Sequence, residues 1–219
     1  MKYPKLEQLE ELCKSFIGKK ITLTATFGET TIPIKNPNIV GDILENIFYP
    51  SYKEICPDFE EGPKQESPDF FAQNREFFFE QKSFKTQAHF DIGNFSSFVH
   101  QLAAPGGLIK KLFKTKYLVY EYGVTDDGFV IKNFWLLNLW NLLGYNKKTC
   151  PITMQVKKGM WYNIRPASKT TWYDKEKTPV MFMLYFLECM ERHENFKNNK
   201  DLKQSIIDQM KEAVSLGLL

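Results

Sequence analysis

The chain has 219 residues and a mass of 25.7 kDa, with 43% hydrophobic and 15% aromatic residues; that supports a real core and excludes disorder as the default state. No apolar run reaches the ~18–20 residues of a bilayer span, and the charged start MKYPKLEQLEELCK reads as no secretory signal. A net charge of +3 permits an anionic partner without demanding one, and four cysteines with no CxxC pair (Cys13, Cys56, Cys150, Cys189) point to reduced thiols in a cytoplasm rather than to a disulfide scaffold or a zinc knuckle.

Leu6, Leu9, Leu12, Cys13 and Phe16 recur at helical spacing, so residues 4–17 are predicted to form an amphipathic helix stopped by Gly18. Residues 21–34 alternate and are rich in β-branched side chains, and Gly28-Glu29 at their middle predicts a hairpin. Val40, Ile43, Leu44, Ile47 and Phe48 define a helix over 38–55 that Pro50 is expected to bend or end. Residues 57–69 are polar and proline-rich and read as a loop. A strand dense in aromatics follows at 75–84, then an irregular loop at 89–98 and a strong strand at 115–124. Residues 129–144 fit either a strand running into a helix or one continuous helix. A hairpin about Lys158-Gly159 is predicted over 151–164, a polar loop over 165–178, and closing helices over 180–194 and 201–217. Strands mixed with helices throughout predict an α/β or α+β domain around a mixed sheet.

The richest chemistry lies in Pro68-Asp69-Phe70 followed by Glu80-Gln81-Lys82. Residues i and i+2 of a strand share a face, so Glu80 and Lys82 project together, and a hairpin-like return brings Asp69 beside them. Two converging carboxylates make an oxygen site for Mg²⁺, to which the carbonyl of Gln81 adds a further oxygen. A lysine there can hold the attacking water and stabilise charge on phosphorus. This is the PD…(D/E)xK constellation of metal-dependent nucleases. The bland alternative is a strand with a solvated Glu/Lys face and a turn aspartate. A second Pro-Asp-Phe at 57–59 lies too far upstream and is set aside. Arg165, Ser168, Lys169, Thr170 and Thr171 fall within seven residues. Arginine suits guanine O6/N7, and lysine and hydroxyls suit bases or phosphates.

Several landmarks follow the order of the EcoRV-type restriction endonucleases, a branch of the PD-(D/E)xK superfamily, and the chain resembles that family. They are LENIFYP (44–50), GPKQESPDF (62–70), FFFEQKSF (77–84), FDIGNFSSF (90–98), YLVYEYGV (117–124) and MQVKKGMWYNIRPASKTT (154–171). The resemblance implies a restriction-endonuclease-like mixed β-sheet core flanked by helices. It implies a homodimeric, Mg²⁺-dependent enzyme that cuts both strands of double-stranded DNA at a short palindrome. Asp69 and Glu80 match the metal-binding carboxylates, Lys82 the catalytic lysine, and Glu45 a helix-borne glutamate assisting a further metal position. Ser83 matches a hydroxyl residue that contacts DNA, Lys64 and Gln65 a minor-groove loop, and Asn94, Ser96 and Ser97 a phosphate-contacting loop. Arg165, Ser168, Lys169 and Thr170 fall in the loop that reads base edges. The chain is expected to form one endonuclease domain over 1–219. Within it, 1–37 serve dimerisation, 38–125 the catalytic core and 150–175 DNA recognition.

Bland readings prevail elsewhere. The lysines at 110, 111, 114 and 116 suit a solvated helix face, Cys189 and His193 a structural pair, and the four tryptophans packing. No phosphate-binding glycine loop and no nucleophile–histidine motif is present. The function expected is therefore site-specific, Mg²⁺-dependent cleavage of DNA leaving 5′-phosphates, with no membrane and no small-molecule cofactor beyond the metal. A structure- or mismatch-specific repair nuclease with the same site, and a non-catalytic nucleic-acid-binding protein, are the alternatives.

Overall fold

The computed structural model describes residues 3–33, 40–63, 67–105, 109–146, 148 and 150–217. These form two compact units, one of 1–87 with 116–137, the other of 88–115 with 138–219.

In the first unit, α1 (Leu6–Ser15) buries Leu6, Leu9 and Cys13. Gly18, at φ +84°, turns the chain into β1 (Lys20–Thr22), which pairs antiparallel with β9 (Gly128–Leu137). The hairpin expected at 21–34 is β2 (Thr24–Phe27) and β3 (Thr30–Pro33), with Gly28 at positive φ in its turn and both strands exposed. Helix α2 (Val40–Ile55) buries Val40, Leu44, Phe48 and Tyr52, one residue per turn. Pro50 does not end it. The proline is exposed, so the carbonyl it leaves without a partner can bond water.

The segment expected to be a loop at 57–69 contributes β4 (Glu60–Glu61). With β5 (Phe70–Ala72), β6 (Phe77–Phe84) and β8 (Thr115–Thr125) it completes a six-stranded sheet of order β1-β9-β8-β6-β5-β4. Residues 129–144 resolve as β9 followed by the short α5 (Leu139–Leu142). Phe77 and Phe79 of β6 enter an aromatic core with α1, α2, Leu118, Tyr120, Phe129 and Phe134. Strand alternation turns Glu80, Lys82 and Phe84 to the other face, where Phe84 stacks on Trp135 at 5.8 Å between centroids. Side chains of mixed polarity thus stand on one strand with its hydrophobic neighbours already committed to the core.

The second unit holds a small sheet of order β10-β11-β7, from β7 (Gly93–Asn94), β10 (Met154–Lys157) and β11 (Met160–Ile164). Helices α3 (Phe95–Ala103), α4 (Ile109–Lys114), α5, α6 (Pro179–Arg192) and α7 (Lys200–Ser215) surround it. Of the irregular loop expected at 89–98, residues 89–92 are without regular structure, and 93–98 are corrected to β7 and the first turn of α3. Phe95, Phe98, Val99 and Leu102 are buried at helical spacing, a period that begins inside the segment read as a loop and runs on past its end. Asn94 caps the helix by accepting from the Ser97 N–H at 3.1 Å. Phe95 packs on Phe186, His193 and Phe196.

Candidate active site

The register Phe70↔Phe79 sets Asp69, one residue before β5, opposite Glu80 of β6. The Gln81 N–H donates to Asp69 Oδ2 at 2.6 Å. Lys82 Nζ donates to Glu80 Oε1 at 2.6 Å, an ion pair between two largely buried side chains. Glu80 Oε2 is buried and accepts no hydrogen bond. Glu45 reaches this group from α2. Burial, then the nearby Asp69, pushes its carboxyl up to about 7. Burial, then Glu80, pushes Asp69 up to about 6, against the opposing pull of Lys82 and the Gln81 N–H. Burial alone would depress Lys82, but Glu80 and Asp69 outweigh it and hold its pKa above the ordinary lysine value. A cleft of about 400 Å³ opens beside these groups, lined by Asp42, Glu45, Asn46, Glu61, Gly62, Pro63, Asp69 and Phe70.

Two carboxylates facing each other, Glu80 buried with an orphaned oxygen and Asp69 half-buried, fit a divalent cation. Among the described residues no group of three or more His, Cys, Asp or Glu side chains gathers to hold a metal alone. Mg²⁺ does not require such a group, because it is bound by one or two carboxylates with water and substrate phosphates filling the remaining positions. Asp69 and Glu80 supply the two carboxylates, with the Gln81 carbonyl next to Glu80 along β6.

Gln81 is anchored from behind. Its Oε1 accepts from Tyr52 OH at 2.7 Å, and Tyr52 OH lies 2.8 Å from Tyr120 OH. Ser83 turns to that same face, with its hydroxyl beside Gly41 at the start of α2, away from Lys82. Asp58, of the upstream Pro-Asp-Phe, is committed elsewhere: it accepts from Tyr3 OH at 3.0 Å and from the Gln73 N–H at 2.9 Å.

Two residues that pattern reading did not single out belong to the site. Gly62 donates its N–H to the Asp69 carbonyl at 2.7 Å. A Cβ there would stand 1.8 Å from the Pro68 carbonyl oxygen, so only glycine admits this approach. The buried Tyr117 of β8 has its hydroxyl pKa raised well above normal by burial and by Glu80 and Asp69. The Gly-Pro pair at 62–63 was the available signal for the first; nothing local marks the second.

In the second unit, Ser96 and Ser97 lie in the first turn of α3 behind the Asn94 cap, at the helix end whose dipole favours anions. Arg165 is engaged internally, paired with Asp91 at 2.6 Å and donating to the His89 carbonyl. Ser168 and Thr170 are exposed, their hydroxyls 2.9 Å apart, and Lys169 opens a 3₁₀ turn, Lys169–Thr171. Lys64 and Gln65 lie outside the described residues.

The sheet with two carboxylates and a lysine on adjacent strands is the arrangement of a restriction endonuclease fold. The solved NlaIV restriction endonuclease matches it with a TM-score of 0.79 over 98% of this chain and 91% of that one, at 21% identity. The chain belongs to the NgoBV restriction endonuclease family, whose model matches residues 3–215. It is similar to the type II restriction enzyme NlaIV of Neisseria lactamica, 28% identical over 172 residues, covering 75% of this chain and 65% of that relative.

Proposed function

We propose that this chain is a type II site-specific deoxyribonuclease, which hydrolyses both strands of double-stranded DNA in a Mg²⁺-dependent reaction. The observation that carries this reading is Asp69 opposite Glu80, with Glu80 paired to Lys82 through one oxygen and its other oxygen buried and unpartnered. Asp69, Glu80 and the Gln81 carbonyl hold the cation, and Glu45 assists a further position. The cation, when bound, supplies a Lewis acid for the phosphate and a water acidified toward neutral pH. Lys82 donates to the attacking water and to the phosphate oxygens, orienting the one and neutralising charge on the other. In-line attack then breaks the bond to the 3′-oxygen and leaves a 5′-phosphate.

Ser96 and Ser97 at the α3 N-terminus, with Ser168, Lys169 and Thr170, are assigned to DNA, the first pair to phosphates and the second group to bases. Arg165 holds the 89–91 segment rather than a base. A palindromic site calls for a two-fold dimer. The β2–β3 hairpin suits that contact, because Phe27 is 91% and Ile32 57% exposed and an isolated two-stranded hairpin is marginal in water.

Phage DNA incubated with the wild-type chain should give discrete bands with Mg²⁺ and none with EDTA. Lys82→Ala should lose at least about a hundredfold in rate while still shifting DNA in a gel with Ca²⁺. Wild-type rates in that variant would sink the assignment.

A further inference from the structure

A lysine buried away from any carboxylate contact is costly, and Lys177 is only 8% exposed. Its ammonium donates to two neutral oxygens, the Asn141 carbonyl of α5 at 3.0 Å and Thr171 Oγ1 at 3.2 Å. Burial outweighs the nearby Asp174 and holds its pKa below the ordinary lysine value. Around it the segment 167–177 is closed on itself. The Ala167 N–H donates to the Leu142 carbonyl at 2.7 Å, Thr171 Oγ1 to the Ser168 carbonyl at 3.0 Å, and the fully buried Trp172 Nε1 to the Ala167 carbonyl at 3.2 Å. A segment with the composition of a solvated loop is therefore built around a tryptophan and a cation. Two hydrogen bonds tie it to α5, one from the backbone N–H of Ala167 and one from the side chain of Lys177.

We infer that Lys177 is a positioning residue for sequence readout: it clamps the 168–171 turn onto α5, so that Ser168, Lys169 and Thr170 meet DNA already ordered. This rests on the reading of those three residues as base-contacting. Side chains ordered beforehand spare the ordering cost on binding. The saving applies only where their hydrogen bonds to bases are made, so it widens the gap between the correct site and its near relatives. Lys177 touches no base in this scheme.

The recognised site is first mapped from fragment ends. Then kcat/KM is measured on a duplex carrying it and on duplexes with one base pair changed. Lys177→Met should shrink the discrimination ratio by about tenfold or more (tenfold being ~1.4 kcal/mol), chiefly through KM for the correct duplex. It should also raise deuterium uptake across 167–173 in the DNA-free protein. Thr171→Val, nearly isosteric, should do the same to a smaller extent, and it keeps the test decisive should Lys177→Met fail to fold. The triple variant Ser168→Ala, Lys169→Ala, Thr170→Ala separates the two layers of the argument. If it loses discrimination while Lys177→Met and Thr171→Val keep theirs, the turn reads bases and the clamp is wrong. If it keeps full discrimination, the turn is not the reader, and the base-contact reading falls together with the clamp.

Discussion

Glu80 Oε2 sits buried without a hydrogen bond, and the facing Asp69 holds its proton up to about pH 6 and Glu45 up to about 7. Unfolded, the same groups release theirs near about 3.9 and 4.3. Each therefore binds its proton more tightly in the fold, so the metal-free protein loses stability as pH rises from about 4 to about 7 and levels off above. A cation demands the ionised forms. The rise in melting temperature produced by Mg²⁺ should thus be small at pH 5 and complete by about pH 8, and scanning calorimetry across that range reads it directly. An equal Mg²⁺ shift at both ends would mean that these carboxylates are not its ligands. Asp69→Asn keeps an acceptor for the Gln81 N–H but removes a charge facing Glu80. It should melt higher than wild type without metal, respond no longer to Mg²⁺, and not cleave.

Helix α2 is the element that ties core to chemistry. Glu45 and Tyr52 stand seven residues apart, two turns on one face, and Tyr52 bonds Gln81 between the two active-site positions of β6. Tyr52→Phe leaves the Gln81 amide oxygen and Tyr120 OH to find new partners inside the core. It should cost about 1–3 kcal/mol in urea unfolding, and a cost near zero would show that the network is replaced by water. Much of this was legible in the sequence. The period of two in Phe77, Phe79 and Gln81 against Glu80 and Lys82, and the turn before it, were enough to bring Asp69 to Glu80. Helix α3 was hidden because Asn94, Ser96 and Ser97 give its start the composition of a loop, and only tertiary burial of Phe95 and Phe98 declares the helix. Gly62 was marked only by the Gly-Pro pair and Tyr117 by nothing local, since their roles come from chain segments that pairing brings together. Gly62→Ala checks the first: the Pro68–Asp69 backbone must move, and cleavage should fall at least about tenfold, as expected for an angstrom-scale misplacement, while the melting temperature changes by only a few degrees.

For the whole molecule, the assembly expected is two copies of the 25.7 kDa chain. Sedimentation should report twice that mass, and Phe27→Asp should bring it to the single value. Wild type sedimenting as one chain, both alone and with DNA, would refute a dimer. Among the described residues no helix is long and apolar enough to cross a membrane. The two units are interleaved, the first built from 1–87 and 116–137 and the second from 88–115 and 138–219, so the backbone passes from one to the other three times. A nascent chain leaving the ribosome at about 5–20 residues per second presents β6 seconds before β8 emerges to pair with it. The strand bearing Glu80 and Lys82 consequently has an open edge throughout synthesis of the intervening segment. Neither unit can be cut out, transplanted or expressed by itself as one continuous stretch of gene, and recombination between relatives can exchange them only through several joined crossovers.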